Sequence, residues 1–417
     1  KSGSCRRQSS DRGAGDVRIG VAGPASLNLL SDYLGDEVPR TYSFPWVSHL
    51  VREYLNAGHQ VDLFTSSEHI EAPKVIQGRG GLSVHIGRRR SRARSRALDG
   101  FRLERADLTY LMSQAEPDVI HGHWLCEFGS AALSAQRDAL ITAHDSPQVL
   151  LRYYSGPYWW IRAGLSTATA LRAKNLTAVA PPLAEEIRKA SGRWVTPKVV
   201  VNGISSSPRD RVRRLNPARP VFATISNGFD KRKNTRTAMR SFSILRRALP
   251  DAQLMMFGSG HGVGEAGMVW ASERGLTDGV DFRGQTNPVE LMRALEADID
   301  VLVHPSLWEA SSISLIEAQS VGVPVIGGQS SGGVPNSLAG GRAGVLTDVT
   351  DPDALAGSMH RLISDAELYS SIVRQGQVLV RNEFSIRQNA SEYLTILHDI
   401  VERRSDGKAH HAKCRRA

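Results

Sequence analysis

Apolar residues in this chain come in short runs that end in Gly or a polar residue, and these alternate with stretches of helical spacing. VRIGVAG at residues 17–23 has the continuous apolar character of a buried strand. About twenty residues rich in Gly, Pro, Ser and Asp follow, long enough to read as a functional or disordered loop. Trp46, Val47, Leu50, Val51, Tyr54 and Leu55 then recur at helical spacing, Gly58 stops the helix, and VDLF at 61–64 reads as the next strand. Strand, helix, Gly, strand is one βαβ unit. The pattern continues with strands at 118–121, 139–143, 175–180 and 198–201 and a helix at 182–190. A polar, Pro-bounded stretch at 205–220 reads as a linker. A second series follows: strands at 221–225, 253–257, 301–304 and 324–326, and helices at 235–249 and from Ser312. The expected organisation is α/β, with two doubly wound halves of similar size at 17–204 and 221–385. Such folds place ligands at the carboxyl ends of their strands.

Charge refines this picture. The formal net charge is +10, but residues 1–16, 88–105 and 402–417 carry +2, +6 and +4, so the rest is nearly neutral. A basic nucleic-acid-binding face is therefore not expected, and specific nucleic-acid binding is excluded from the reading. Residues 1–16 and 402–417 read as disordered tails, and GRRRSRARSR at 87–96 as a solvated, partly disordered insertion. Its functional reading is contact with an anionic surface, with a membrane favoured over nucleic acid or an acidic acceptor. Three cysteines suit neither a disulfide framework nor a four-cysteine zinc site and fit a reducing cytoplasm. No run approaches the ~20 apolar residues of a spanning helix. The opening KSGSCRRQSS lacks the apolar core of a secretory signal. The expected location is cytoplasmic, with peripheral contact at the inner membrane face.

Candidate chemistry concentrates in HPSLWEASSISLIEAQSVGVPVI at 304–326. A strand ends at His304, a loop carries Glu309, and a helix starting near Ser312 carries Glu317. The first amides of such a helix are unpaired donors at the positive end of its dipole, a natural phosphate site. Ser314 and Glu317 also fit a capping box, which would make Glu317 merely structural. The cluster NGFDKRKN at 227–234 follows the first strand of the second half and opens a helix, so its bases lie where a phosphate would bind. His144 ends the strand ALITA. His121 and His123 alternate along DVIHGHW and share a face. An HxH pair with His144 and Asp145 is also a metal pattern, so a metal-dependent hydrolase is the main alternative. A non-enzymatic anion-binding scaffold using the basic segments is the third.

The 304–326 string resembles the signature of the retaining, nucleotide-sugar-dependent glycosyltransferases of family 4, with Glu309 and Glu317 in the Glu-x7-Glu positions and Val321-Gly322-Val323-Pro324-Val325 after them. The resemblance extends to Gly58–Val61, DVIHGHW, TAHD, VVVNGI at 199–204 and GGRAGVL at 340–346. It implies the GT-B fold, two Rossmann-like domains facing across a cleft, with the helix at 386–401 crossing back to the first, acceptor-side domain. It implies transfer of a sugar from a nucleotide-diphosphate sugar, with UDP as the commoner carrier, to a glycan, lipid-linked or small-molecule acceptor. No cofactor or metal is implied. Catalytic roles carry over to His144 (over the donor sugar), Glu309 (sugar hydroxyls) and Lys233 (phosphate charge). Donor contacts carry over to Arg232, Ser312, Ile313, Ser314, Glu317 (ribose hydroxyls), Gly258 and Arg283, and acceptor-side positions to Gly23 and Asn202. The family's Gly-Arg is absent at Asn227-Gly228, and Lys231 or Arg232 is left to supply that charge. Asn336 replaces the family Glu in GGVPN at 332–336, and no role is assigned there.

Overall fold

The computed structural model describes residues 17–194, 196–205 and 215–414, with side chains through Asp406. The expected N-terminal tail and residues 206–214 of the expected linker lie outside the described residues.

The first sheet contains β1 (Arg18–Ala22), β2 (Gln60–Ser67), β3 (Lys74–Gln77), β4 (Leu82–Arg88), β5 (Val119–His123), β6 (Leu140–Ala143), β7 (Asn175–Ala178) and β8 (Lys198–Val199), ordered β3-β4-β2-β1-β5-β6-β7-β8. Strands β4, β2, β1, β5 and β6 pair in parallel, as do β7 and β8, while edge strand β3 runs antiparallel to β4. The second sheet contains β9 (Val221–Ile225), β10 (Gln253–Phe257), β11 (Val280–Gly284), β12 (Val301–His304), β13 (Val325–Gly328) and β14 (Val345–Thr347), all parallel, ordered β11-β10-β9-β12-β13-β14. In both sheets the order reverses beside the first strand, between β1 and β5 and between β9 and β12. These are the switch points where loops part to opposite sides and leave room for a ligand.

Alternation along the strands explains why both faces of the second sheet are covered. Phe222, Leu254, Met256, Val301, Val303 and Ile326 pack with Met239, Phe242, Leu355 and Met359 on one face. Ala223, Met255, Phe257, Leu302 and Val325 pack with Leu295, Leu315 and Ala318 on the other. No helix among the described residues is long and apolar enough to cross a membrane.

The chain divides into two compact units: residues 17–142, 164–176 and 390–414 form one, and 143–163 and 177–389 the other. The division does not follow the linker expected at 205–220. Residues 177–204 belong with the second unit, where Ile204 pairs with Ser385 through Ile204 N to Phe384 O (2.8 Å) and Ile386 N to Ile204 O (3.0 Å). Gly203 permits that pairing, because a Cβ there would collide with the Ser385 backbone.

Two charged segments expected to be disordered are ordered. Residues 402–414 continue the helix Ile386–Cys414. Of its basic residues with described side chains, Arg404 pairs with Asp138 at 2.7 Å and donates to the Asp118 carbonyl at 2.7 Å. In the Arg-rich segment, Arg88 grips Asp107 with both Nε and Nη2 at 2.8 Å. Arg90 pairs with Glu104 at 2.6 Å and Asp99 at 2.9 Å. Residues 93–98 form a helical turn. The carboxylates come from the helix Arg102–Ala115 and its approach, so the charge run is folded inward.

Gly203→Ala should lower the thermal midpoint, because the added methyl forces the 203–204 and 384–386 strands apart at a cost of about 1–3 kcal/mol. An unchanged midpoint in a calorimetric scan would show that this pairing is not constrained by the missing Cβ.

Candidate active site

The second sheet's switch point lies between β9 and β12, so the loops leaving these two strands, 226–234 and 305–312, are neighbours by topology. Each is held in place by identifiable contacts. Asp230 accepts from the amides of Arg232 (2.9 Å) and Lys233 (3.1 Å), curling the first loop so that both bases project from one turn. Asn234 sits in the left-handed region (φ 52°), which Asn tolerates better than most residues. Its Nδ2 donates to the carbonyls of Pro305 (3.1 Å) and Val349 (2.7 Å). The Leu307 amide donates to the Arg232 carbonyl at 2.7 Å, locking one loop to the other.

Glu309 is the centre of the cluster. Its Oε1 accepts from Lys233 Nζ at 2.6 Å, lies 3.1 Å from Arg232 Nη1, and is 4.0 Å from His304 Nε2. Arg232 also donates to the Trp308 carbonyl and to the Tyr154 hydroxyl, both at 3.1 Å. Arg232 lies beside Lys233 in this cluster, whereas Lys231 is exposed. Burial alone would push the Glu309 carboxyl up, but the charges of Lys233 and Arg232 outweigh it and bring it from 4.5 to about 2. Burial lowers His304 to about 4, with Glu309 opposing, so the ring is neutral near pH 7.

The helix Ile313–Ser320 begins directly after this loop. Its N-cap is Ser312, which makes no side-chain cap; its hydroxyl instead meets that of Ser314 at 3.0 Å. Ser314 lies inside the helix, so the capping-box reading of Ser314 and Glu317 fails. The Glu317 carboxylate makes no hydrogen bond or ion pair among the described residues, and burial raises its pKa. The first-turn amides of Ile313 and Ser314 have no intrahelical acceptor.

Other expected positions fall as follows. Gly258 has φ 102°, donates its amide to the Gly284 carbonyl (2.7 Å), and sits where a Cβ would strike the Ser226 carbonyl. Arg283 is half-exposed and pairs with Asp281 at 2.6 Å. His144 follows β6; burial lowers it to about 3, so it is a neutral imidazole. Gly23 directly follows β1, its amide donating to the Phe64 carbonyl at 3.0 Å. Asn202 is buried, and its Oδ1 has no hydrogen-bond partner among the described residues.

The metal alternative fails on geometry. His121 and His123 do share a face, with ring centroids 4.1 Å apart. Both ring nitrogens of His121, however, are engaged within the protein, Nδ1 with the Tyr54 hydroxyl (3.2 Å) and Nε2 with Thr142 (2.7 Å). Among the described residues no group of three or more His, Cys, Asp or Glu is arranged to hold a metal ion.

Two contributors escaped the sequence reading. Tyr154 orients Arg232, and nothing in its local sequence signals this. Gly332 and Gly333 were assigned no role, yet Gly332 forms an isolated parallel bridge with Glu309, the Gly333 amide donating to the Glu309 carbonyl at 2.7 Å. A Cβ on Gly332 would collide with the Glu309 carbonyl, and one on Gly333 with that of Ala310. The doubled glycine was the available signal.

Because the Glu309 carboxyl is depressed in the folded protein, its ion pairs contribute stability that is complete above its unfolded value of 4.5 and lost as pH falls towards about 2. Glu309→Gln should cost about 3 kcal/mol at neutral pH, since it strands two buried cations. In urea titrations the gap from wild type should close as pH falls through that window. A gap that stays constant would mean that the ion pairs contribute nothing.

The glycosyl transferases group 1 model matches residues 206–378, and the glycosyltransferase family 4 model matches 46–207. A Bacillus anthracis N-acetyl-alpha-D-glucosaminyl L-malate synthase is 26% identical over 194 residues, 46% of this chain and 49% of its own. A Paenarthrobacter aurescens D-inositol 3-phosphate glycosyltransferase is 25% identical over 352 residues, 77% of this chain and 84% of its own. Several of the curated relatives are thus matched over half their length or less. Among solved structures, sucrose-phosphate synthase from Thermosynechococcus elongatus has a TM-score of 0.75 at 18% identity, covering 92% of this chain and 99% of that one. Anabaena HepE in complex with UDP and glucose has a TM-score of 0.64 at 18% identity, covering 92% of this chain and 100% of that one. The fold is GT-B, and with the two family models together spanning residues 46–378, the chain belongs to the group 1, family 4 glycosyltransferases.

Proposed function

We propose that this protein transfers a sugar from a nucleoside diphosphate sugar, with UDP as the carrier, to an acceptor hydroxyl with retention of configuration. The observation that carries the reading is the Lys233–Glu309–Arg232 cluster beside a helix start whose Glu317 has no protein partner. The support for UDP is the HepE complex, a fold relative.

In this reading the C1–O bond to the diphosphate breaks and a C1–O bond to the acceptor forms on the same face. The acceptor proton passes to an oxygen of the departing phosphate. Charge grows on that phosphate, and preorganised donors directed at growing charge are the largest common source of rate enhancement. Lys233, Arg232 and the amides of Ile313 and Ser314 supply them, so no metal ion is required. Glu309 fixes both cations before substrate arrives and offers its second oxygen to the sugar hydroxyls. Glu317 accepts from the ribose hydroxyls. His144, being neutral, acts as a hydrogen-bonding group to the sugar rather than as an acid.

Thermal shift with UDP, GDP and ADP, each with and without EDTA, tests this directly. A ligand at 100 times its Kd stabilises by about 2.7 kcal/mol. A shift with one nucleotide that EDTA does not alter is expected; no shift with any would sink the reading.

Glu317→Gln provides a second test with two signs. A carboxyl raised by burial costs stability at neutral pH, so the variant should melt higher without ligand. It should bind nucleotide about tenfold more weakly or worse, because a charge-assisted hydrogen bond is lost. A variant that melts higher and binds as tightly as wild type removes Glu317 from the site.

A further inference from the structure

The stretch after β6, residues 143–163, belongs to the second unit although the strand before it belongs to the first sheet. It carries five aromatic residues within eight positions: Tyr153, Tyr154, Tyr158, Trp159 and Trp160. One of them reaches the candidate active site. The Tyr154 hydroxyl accepts from Arg232 Nε at 3.1 Å, across 78 residues of chain.

The Tyr154 ring is itself held. It lies nearly parallel to the Trp159 indole, with centroids 4.7 Å apart and planes at 14°, and Tyr158 meets that indole edge-on at 5.2 Å. Both are favoured aromatic arrangements. A tyrosine has only two side-chain torsions to fix, so the stack places the hydroxyl at low entropic cost. Burial raises the hydroxyl pKa, the Arg232 cation opposes the rise, and the Asp230 carboxylate adds to it. At pH 7 the group is therefore a neutral phenol. It accepts from Arg232 and keeps its own proton for Asp230, the residue that curls this loop.

The donors of Arg232 are divided. Nε goes to Tyr154, and Nη1 lies 3.1 Å from both the Trp308 carbonyl and Glu309 Oε1. Nη2 makes no hydrogen bond or ion pair among the described residues. An arginine side chain has large rotamer freedom, and its planar fork is useful only in the right plane. Contacts on Nε and Nη1 fix that plane before any ligand arrives. Lys233 needs no such framing, because an ammonium acts as a point charge.

We propose that Tyr154 is a positioning residue for the second phosphate of the nucleotide: it sets the guanidinium plane of Arg232 so that Nη2 is kept for that phosphate. The phosphate role rests on the transferase reading; the anchoring of Arg232 does not.

The full chain is titrated calorimetrically with UDP and with UMP, or with the matching pair for whichever nucleoside diphosphate stabilises it. Tyr154→Phe keeps the stacked ring and removes only the hydroxyl. It should weaken UDP about tenfold and leave UMP unchanged, because UMP has no second phosphate. Unchanged UMP binding also shows that the variant folds. Arg232→Lys should weaken UDP as well, and Tyr154→Phe added to it should bring no further loss, since the hydroxyl acts through the guanidinium. Unchanged UDP binding, equal losses of UDP and UMP, or additive losses in the double variant each overturn the proposal. A ligand-free readout separates this from the transferase reading. The Arg232 Nε–H resonance, assigned by its absence in Arg232→Lys, should exchange slowly with water in wild type and broaden or vanish in Tyr154→Phe. An unaltered resonance removes Tyr154 as the anchor. If wild type binds no nucleotide, the transferase reading and the phosphate role fall together, and a resonance lost in Tyr154→Phe leaves the anchoring of Arg232 standing.

Discussion

A carboxylate caught between two cations organises the second unit. Glu309 is removed from most of its hydration, and only the proximity of Lys233 and Arg232 keeps it ionised. That requirement propagates outward. The two bases must leave one turn together, which Asp230 arranges. The two loops must be locked, which Asn234 and the Leu307 amide achieve. The carboxylate's own backbone must be held from behind, which needs two residues without side chains at 332 and 333. Much of the loop chemistry at this end of the sheet thus serves one buried charge balance. A phosphate entering the site would find the cations already positioned.

The two sheets place loops in the same way but furnish them differently. Each reverses strand order beside its first strand, so each opens space at that strand's carboxyl end. In the second unit the space is self-neutralised: acid and base answer each other before any ligand arrives. In the first unit, the arginines at the end of β4 answer carboxylates carried by other elements, Asp107 and Glu104 from one helix and Glu127 from another. One topology therefore carries two different sets of charge pairs, as expected where a fold is a scaffold for function.

Most of the architecture was legible in the chain, because buried parallel strands announce themselves as apolar runs. β1, β5, β6, β9, β10 and β12 all fall where such runs occur. β3 and β4 were not legible: KVIQ is an exposed edge strand, and LSVHIGR mixes Gly, His and Ser into its alternation. Charge runs misled for a different reason. Arginines look solvated in sequence because their partners are not adjacent; Asp107 lies nineteen residues from Arg88 and Asp138 lies 266 from Arg404. The pairing of Lys233 with Glu309 spans 76 residues and was not legible from spacing, and the family pattern gave the two residues separate roles. The shared face of His121 and His123 followed from strand periodicity, but their partners did not. Tyr54 sits on a helix far away in the chain, and its hydroxyl turned a metal pattern into a core hydrogen bond.

The helix Ile386–Cys414 has a consequence for how this molecule comes into being. From residue 390 onward it belongs to the unit that begins near residue 17, where Tyr393 packs its ring 6.4 Å from Trp46 and 4.6 Å from His121, and His398 lies 5.3 Å from His59. A chain emerging from the ribosome grows from its amino end at about 5–20 residues per second. The first unit is therefore incomplete for most of synthesis, with an apolar seat beside Trp46 waiting for a ring that emerges some 350 residues later (about 20–70 s at that rate). The second unit, complete by residue 389, has every part it needs earlier. The part of the chain that is translated first is thus the part whose core is closed last.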